Sequence, residues 1–142
     1  DHEPDDEQAL YWYRKAAEAG ALNGMIKLGD AYQFGKGVGK DDTESVRWYR
    51  RAAESGSTDA MVRLGYAYNN GKGVGKDQVE AVRWYRKAVE AGSAIGMSYL
   101  GFAYQYGMGV GKDDAEAVRW YRKAAEAGDE TAREELRKRG LN

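Results

Sequence analysis

The sequence contains no cysteine, one proline and one histidine among its 142 residues. Without cysteine the chain can have no disulfide framework, thiol nucleophile or thiolate metal site. The 22 basic residues nearly balance the 23 acidic ones, so charge gives no reason to expect binding to nucleic acid or to an anionic membrane. No apolar run has the length of a membrane span or a signal-peptide core. We therefore predict a soluble chain, and its composition indicates neither compartment nor partner.

Tryptophan, in contrast, recurs with a fixed period. The four tryptophans occupy positions 12, 48, 84 and 120, so neighbours are 36 residues apart. A fixed period of this length is typical of repeat proteins, in which each unit buries its apolar face against adjacent units. We predict a single domain over residues 1–142, with repeat units at about 5–34, 35–70, 71–106 and 107–142.

Each unit contains two helix patterns. The first is clearest over residues 41–55, where apolar residues recur at helical spacing. Asp41 and Glu44 have the spacing of a capping box at its start, and Gly56 marks its end. The second pattern covers residues 57–70, with Ser57 as its predicted N-cap. Because these signals recur in every unit, we predict an all-α fold.

A glycine-rich loop, residues 35–41, separates the units and recurs from Gly71 and Gly107. A phosphate-binding P-loop needs glycine five residues before its Gly-Lys pair and Ser or Thr after it. The corresponding earlier positions hold Phe34, Asn70 and Tyr106, and Asp follows each lysine. We therefore interpret the loops as turns between units rather than nucleotide sites.

Two sets of motifs carry a family resemblance. Leu28-Gly29-x-x-Tyr32, repeated from Leu64 and Leu100, resembles the Leu-Gly-x-x-Tyr helix of tetratricopeptide repeats. The Trp-Tyr-Arg segments and the Gly-x-Gly-Val-x-x-Asp loops resemble Sel1-like repeats over nearly the whole chain. The resemblance implies a right-handed α/α solenoid that scaffolds proteins or binds peptides, in a family whose members are often secreted or in the secretory pathway. The cysteine pairs and loop proline of many natural members are absent.

The units are unusually alike, since Val-Gly-Lys-Asp and Val-Arg-Trp-Tyr-Arg each occur three times. This regularity favours a consensus-designed or otherwise engineered repeat protein. Tryptophan and tyrosine that recur in register are expected to pack in the core between identical neighbours. The last helix pattern is polar, with Arg137 in place of the repeated glycine, and is expected to cap the array. His2, in the acidic leader, is expected to have no metal or catalytic role.

Six positions in each second helix do not repeat between units. Positions 59, 63, 66 and 70 share one helical face, with 62 and 69 beside it. The resemblance to tetratricopeptide repeats places this face on the inner, concave surface, where ligands bind. The predicted ligand-binding groove therefore comprises Asn23, Ile26, Lys27, Asp30, Gln33, Phe34, Asp59, Val62, Arg63, Tyr66, Asn69, Asn70, Ile95, Ser98, Tyr99, Phe102, Gln105 and Tyr106.

The composition of these positions suggests a ligand. The third unit is aromatic, whereas charges of both signs occupy the first two, which predicts a protein or peptide with an apolar anchor and a mixed-charge flank. A carboxylate clamp is disfavoured because Asp30 and Tyr66 stand where such a clamp would need basic residues and asparagine. The alternative is a structural or self-associating module without a dedicated target, with a homodimer formed through the aromatic-rich groove positions of the third unit, extended by Tyr66 and Phe34. An enzyme is disfavoured, and no cofactor or metal is predicted.

Overall fold

The computed structural model describes residues 4–142, so His2 lies outside the described residues. This part of the chain forms eight α-helices and no strand. Their bounds are α1 (Pro4–Glu18), α2 (Leu22–Phe34), α3 (Asp42–Glu54), α4 (Thr58–Asn70), α5 (Gln78–Glu90), α6 (Ala94–Tyr106), α7 (Asp114–Glu126) and α8 (Glu130–Lys138). Each helix packs mainly against the helices before and after it in sequence. The predicted α/α solenoid is confirmed. Among the helices within residues 4–142, none combines the length and apolarity needed to cross a membrane.

We call α1, α3, α5 and α7 the first helices and α2, α4 and α6 the second helices. The first helices α3, α5 and α7 each begin at an aspartate whose side chain accepts a backbone N–H three residues later. At Asp41 this bond from Glu44 measures 3.0 Å. Ser57 caps the second helix α4 in the same way, over 3.1 Å from Ala60. These caps agree with the sequence signals because capping depends on residues only three apart.

The loops between units share one conformation. Gly37, Gly73 and Gly109 have φ of 77°, 76° and 77°, a region in which only glycine is unstrained. A Cβ on Gly73 would overlap the backbone oxygen of Asp42, so the loop also lies against α3, the first helix of the preceding unit. The loops are turns that follow helices, and Val74 packs against the core.

Successive units are joined by close contact between glycine and tyrosine. A Cβ on Gly29, Gly65 or Gly101 would lie 2.5 to 2.6 Å from a ring carbon of the tyrosine in the next first helix. The tyrosines are Tyr49, Tyr85 and Tyr121, all buried. We call these three contacts the Gly–Tyr seam. Any side chain at the glycine would overlap the ring, so both residues must recur for the units to stack.

The tryptophans do not share one environment. Trp84 is buried among residues of the first two units, and Trp120 packs against the third unit. Trp48 is half-buried, whereas Trp12 is 61% exposed. The prediction that these side chains form a uniform core is therefore wrong for Trp12. Trp84 and Trp120 each pack against the unit before them. The structure describes no residue before α1 that could cover Trp12 in the same way.

The helix α8 is the last helix of the described residues and is more polar than the others. Ala132 and Leu136 are buried, while the rest of its surface carries ion pairs such as Arg133 with Glu130, at 2.7 Å. Arg137 occupies the position of the seam glycine and is exposed.

Candidate ligand-binding groove

All the sequence-predicted site residues lie on the second helices α2, α4 and α6, but their accessibility differs. The exposed ones are Asn23, Lys27, Phe34, Asp59, Tyr66, Asn70, Ile95 and Tyr106. The half-buried ones are Asp30, Gln33, Val62, Arg63, Asn69, Tyr99, Phe102 and Gln105. Ile26 and Ser98 are buried.

The expectation of an accessible groove position is therefore wrong for Ile26 and Ser98. Ile26 belongs to the hydrophobic core. The hydroxyl of Ser98 donates a 2.6 Å hydrogen bond to Asp129, which is the N-cap of α8. These two residues occupy the same position in their units, and Ser98 faces the following unit rather than solvent. Their variation reflects different neighbours inside the protein.

Four aromatic residues form a continuous surface, which we call the aromatic strip: Tyr66, Tyr99, Phe102 and Tyr106. Ring centroids of consecutive members lie 6.4, 6.3 and 6.5 Å apart. Tyr66 and Tyr106 are 40% and 61% exposed. An apolar ligand group would therefore meet several rings at once.

The tyrosines of the seam support the strip from below. Tyr99 stacks on Tyr85 with centroids 4.9 Å apart, and Phe102 meets Tyr121 edge to face at 5.5 Å. Because the half-buried rings are packed from beneath, the strip is ordered before any ligand arrives. Preordered side chains lose less conformational entropy on binding.

A cavity of about 460 Å³ lies between α2 and α4 at the end of the strip. Phe34, Tyr66 and Tyr99 contribute its aromatic walls, Tyr49 its floor and Lys72 part of its lining. This volume lies within the range of pockets that hold small ligands, so the cavity has room for one or more side chains of a peptide. The cavity therefore joins an apolar wall to a cationic group.

Charged residues beside the cavity bond to one another. Arg63 donates a 2.8 Å hydrogen bond to the carboxylate of Asp30, across the space between α4 and α2. The hydroxyl of Tyr49 donates to the same carboxylate and lies 2.9 Å from the side-chain oxygen of Gln33. Burial and the neighbouring Asp30 raise the pKa of Tyr49 well above its ordinary range, so the phenol stays neutral. The mixed charge predicted for this surface is thus partly neutralised within the protein.

Two kinds of groove residue were not predicted from the sequence. The seam tyrosines line the floor, and the Tyr121 hydroxyl donates to Gln105 over 2.6 Å, but their exact recurrence had indicated only core packing. Ser45 lines the cavity while being 2% exposed, and its Oγ has no hydrogen-bond partner among the described residues. It does lie close enough to Tyr49 to oppose the rise in pKa of that phenol. Its counterparts are Ala9, Ala81 and Ala117, a difference that the unit comparison could have revealed.

The edge of the groove changes from cationic to apolar along the array. Within residues 4–142, Lys27, Lys36 and Lys72 form no ion pair. Lys36 and Lys72 occupy the same position in the loops after α2 and α4, where the loop after α6 has Met108. Lys72 lines the main cavity and Lys36 a smaller one, of about 360 Å³, between α1 and α2.

Comparisons with known proteins agree with this architecture. The family model described as Sel1 repeat matches residues 1–20, 22–57, 58–93 and 94–129. A Sel1 repeat protein from Oxalobacter formigenes is 42% identical with a TM-score of 0.85, over 89% of this chain and 52% of that one. The protective antigen c5321 of uropathogenic Escherichia coli, which has an SLR fold, is 40% identical with a TM-score of 0.84, over 94% and 29%.

A third structure matches over nearly its whole length. Helicobacter pylori cysteine rich protein B is 31% identical with a TM-score of 0.71, covering 93% of this chain and 95% of that one. The chain thus spans about half of the first relative and less than a third of the second. No curated protein matches the chain in sequence.

Proposed function

Because the chain belongs to the Sel1 repeat family, whose members are typically protein-interaction modules, we propose that it binds a protein or peptide through the groove of its second helices. One observation carries the proposal. Of the seven exposed large hydrophobic residues in the described chain, four lie at the non-repeating positions of these helices: Phe34, Tyr66, Ile95 and Tyr106. Exposed apolar groups gathered on one surface are typical of interaction sites. The role is non-enzymatic.

The aromatic strip supplies the anchor. Tyr66 and Tyr106 offer ring surface for an apolar side chain and hydroxyls for hydrogen bonds to a peptide backbone. Their partly buried neighbours Tyr99 and Phe102 hold the surface in one arrangement. The ligand places its apolar residue here, with a second side chain in the cavity between α2 and α4.

The charge distribution orients the ligand. Asp30 and Arg63 satisfy each other, so the first two units, together with the loop after α4, present Lys27, Lys36 and Lys72 to a ligand. Asp59 adds one negative charge on α4. The flank that lies over these units is therefore of mixed charge with an excess of acidic residues, and the apolar anchor lies over the third unit.

The test is selection of binders from a displayed random peptide library, followed by calorimetric titration of the selected peptide. We expect Tyr66→Ala together with Tyr106→Ala to weaken binding at least tenfold, because two anchors of the ligand are removed. Tyr99 and Phe102 are left intact, since they pack on seam tyrosines and their loss would also destabilise the fold.

The matched control is Val79→Ala on α5, where the side chain is as exposed as that of Tyr106, at 61%. This variant is expected to bind normally. Failure to select any peptide, or equal binding by the double variant and the wild type, would contradict the proposal.

The regularity of the units favours a second function, that of a structural or self-associating module without a dedicated target. In that case the aromatic strip is covered by a second copy of the chain. Sedimentation velocity would then show a dimer that the Tyr66→Ala and Tyr106→Ala changes dissociate.

A further inference from the structure

The cavity between α2 and α4 combines aromatic walls with a polar floor. Phe34, Tyr66 and Tyr99 form the walls, and the side chains of Ser45 and Tyr49 line the floor. A fully apolar ligand side chain would cover polar atoms of the floor without bonding to them, which costs free energy. A side chain with a short apolar stem and a polar head fits better, because its stem can lie against the rings.

The charges around this cavity leave one positive charge uncompensated. Arg63 is paired with Asp30 at 2.8 Å, and Asp42 is paired with Lys40 at 3.1 Å. Lys72 is exposed and forms no ion pair with any residue that the structure describes. The cavity therefore has a net positive charge near Lys72, which favours an anionic group of the ligand.

A basic ligand side chain is disfavoured, although aromatic rings can bind cations. The guanidinium carbon of Arg63 already lies 5.7 Å from the centroid of the Tyr49 ring, so the protein's own cation occupies this ring face. A lysine or arginine of the ligand would also be repelled by Lys72, which lines the same cavity. The cavity thus discriminates between ligand side chains by the sign of their charge.

The Ser45 hydroxyl lacks an acceptor, which a carboxylate in the cavity would provide. Ser45 is 2% exposed, and its Oγ has no hydrogen-bond partner among the described residues. A buried hydroxyl without a partner is destabilising, and the other units have Ala9, Ala81 and Ala117 at this position. The unit that keeps the costly hydroxyl is therefore the one whose tyrosine forms the floor of the positively charged cavity.

We propose that this cavity selects an acidic residue of the bound peptide, an inference that rests on the function proposed above. The carboxylate of a glutamate or aspartate accepts hydrogen bonds from the Lys72 ammonium and the Ser45 hydroxyl. Its methylene groups lie against Phe34 and Tyr66. Hydrogen bonds between charged groups are stronger than those between neutral groups, so they determine which residue enters.

The position of the cavity also sets the spacing of the recognised sequence. Tyr66 and Tyr99 belong both to the cavity and to the aromatic strip, in which consecutive rings lie 6.3 to 6.5 Å apart. An extended peptide advances about 3.3 Å per residue and projects alternate side chains to one face. The acidic residue is therefore expected about two to four residues from an apolar anchor over Phe102 and Tyr106.

Calorimetric titration of the peptide selected from the displayed library tests the assignment. A second peptide carries the corresponding amide in place of the acidic residue at this spacing. Lys72→Met, which introduces the residue of the loop after α6, should weaken binding of the acidic peptide about fivefold at low ionic strength. The amide peptide should show the same loss toward the wild type and no further loss toward the variant, because both changes remove one interaction.

Lys36→Met is the matched control, since it removes the same charge at the equivalent position of the preceding loop. Lys36 lines the smaller cavity, where Asp6 and Asp30 supply carboxylates and Ala9 stands in place of Ser45. This variant should bind the acidic peptide within about twofold of the wild type. Equal losses in the two lysine variants would mean attraction by overall charge and would overturn the inference.

Ser45→Ala separates the contact with the hydroxyl from any effect on folding. The variant should bind the acidic peptide about threefold more weakly, because one hydrogen bond to the carboxylate is removed. Its Tm should not fall, since the hydroxyl has no partner in the free protein. Unchanged binding would overturn the role given to Ser45.

The outcomes distinguish this inference from the function on which it rests. If no peptide is selected from the library, the proposed function fails and the inference fails with it. Selected peptides that lack an acidic residue at this spacing, or whose affinity is unaffected by Lys72→Met, overturn the charge selectivity of the cavity and leave the peptide-binding function standing.

Discussion

The two helices of each unit differ in how much they can vary. The first helices α3, α5 and α7 repeat the same internal ion pair at 3.0, 3.1 and 3.0 Å, and each inserts a tyrosine against the glycine of the unit before it. The second helices keep the leucine and glycine of the repeated Leu-Gly motif. At equivalent positions, however, Asp59 of α4 is replaced by Ile95 in α6, and Arg63 by Tyr99. A residue that contacts copies of its own surroundings must repeat, whereas one that faces solvent or a ligand need not.

The seam tyrosines contact both the residues that repeat between units and the residues that vary. Tyr85 and Tyr121 pack against glycines of the seam on one side and against Tyr99 and Phe102 of the strip on the other. The residues of the groove floor are therefore fixed by the seam, whereas the residues of its walls can vary between units. The experiments below separate these two contributions.

The largest effect is expected from alkaline pH, which acts on every seam contact together. Burial, first of all, raises the pKa of Tyr49, Tyr85 and Tyr121 above the value of about 10 found in unfolded chains. The folded state thus holds these protons more tightly than the unfolded state. Their contribution to the free energy of unfolding is fully present below about pH 10 and is lost as the pH rises beyond that value.

Thermal melts followed by circular dichroism between pH 8 and about 11.5 would measure this loss. The part of the phenolate absorbance that comes from Tyr49, Tyr85 and Tyr121 should rise together with unfolding, because these buried tyrosines ionise only in the unfolded chain. Tyr85→Phe should make the fall in Tm shallower. An unchanged Tm up to the highest pH would contradict the role given to the seam.

A single seam contact should produce the next largest effect. In Gly65→Ala the new Cβ would lie 2.5 Å from a ring carbon of Tyr85, so the ring or the helix must move. We expect a loss of about 2 kcal/mol in the free energy of unfolding, measured by urea denaturation. Gly75→Ala is the control, because nothing lies within 4 Å of its Cβ, and its effect should stay within about 0.5 kcal/mol. Equal losses in the two variants would contradict the close contact between Gly65 and Tyr85.

The smallest effect concerns a residue on the groove side of a first helix. Ser45 has a buried hydroxyl without a partner, and the other units have alanine there. Ser45→Ala should therefore stabilise the protein by about 1 kcal/mol. Ala81→Ser, at an equally buried position, should have the opposite effect. Destabilisation by Ser45→Ala would mean that the hydroxyl has a favourable interaction after all.

Local features of the fold were predictable, because they depend on neighbours in sequence. The caps at Asp41 and Ser57 involve residues three apart, and the period fixed where they recur. The exposure of Trp12 in the described structure did not follow from the period, because Trp84 and Trp120 are covered by residues of the unit before them.

The groove was predictable as a set of helix faces but not in its detail. The ion pair of Asp30 and Arg63 joins residues 33 apart on different helices, and the bond from Ser98 to Asp129 spans 31. Such contacts depend on how adjacent units are rotated, which no local pattern encodes. The side chains of Ile26 and Ser98 consequently turn toward the protein, whereas Val62, at the same position in α4, lines the cavity.

The shared loop conformation has a consequence for how such an array can change over generations. In all three loops the aspartate that begins the next first helix donates its backbone N–H to a tyrosine carbonyl of the preceding second helix, at 2.8 Å. Since the three loops share this bond and nearly the same sequence, recombination between the segments that encode them would join a different second helix to an unaltered turn. Unequal crossing-over at the same point adds or deletes a whole unit in frame. The array can thus acquire a new combination of groove walls in one genetic event, without first passing through an unstable chain.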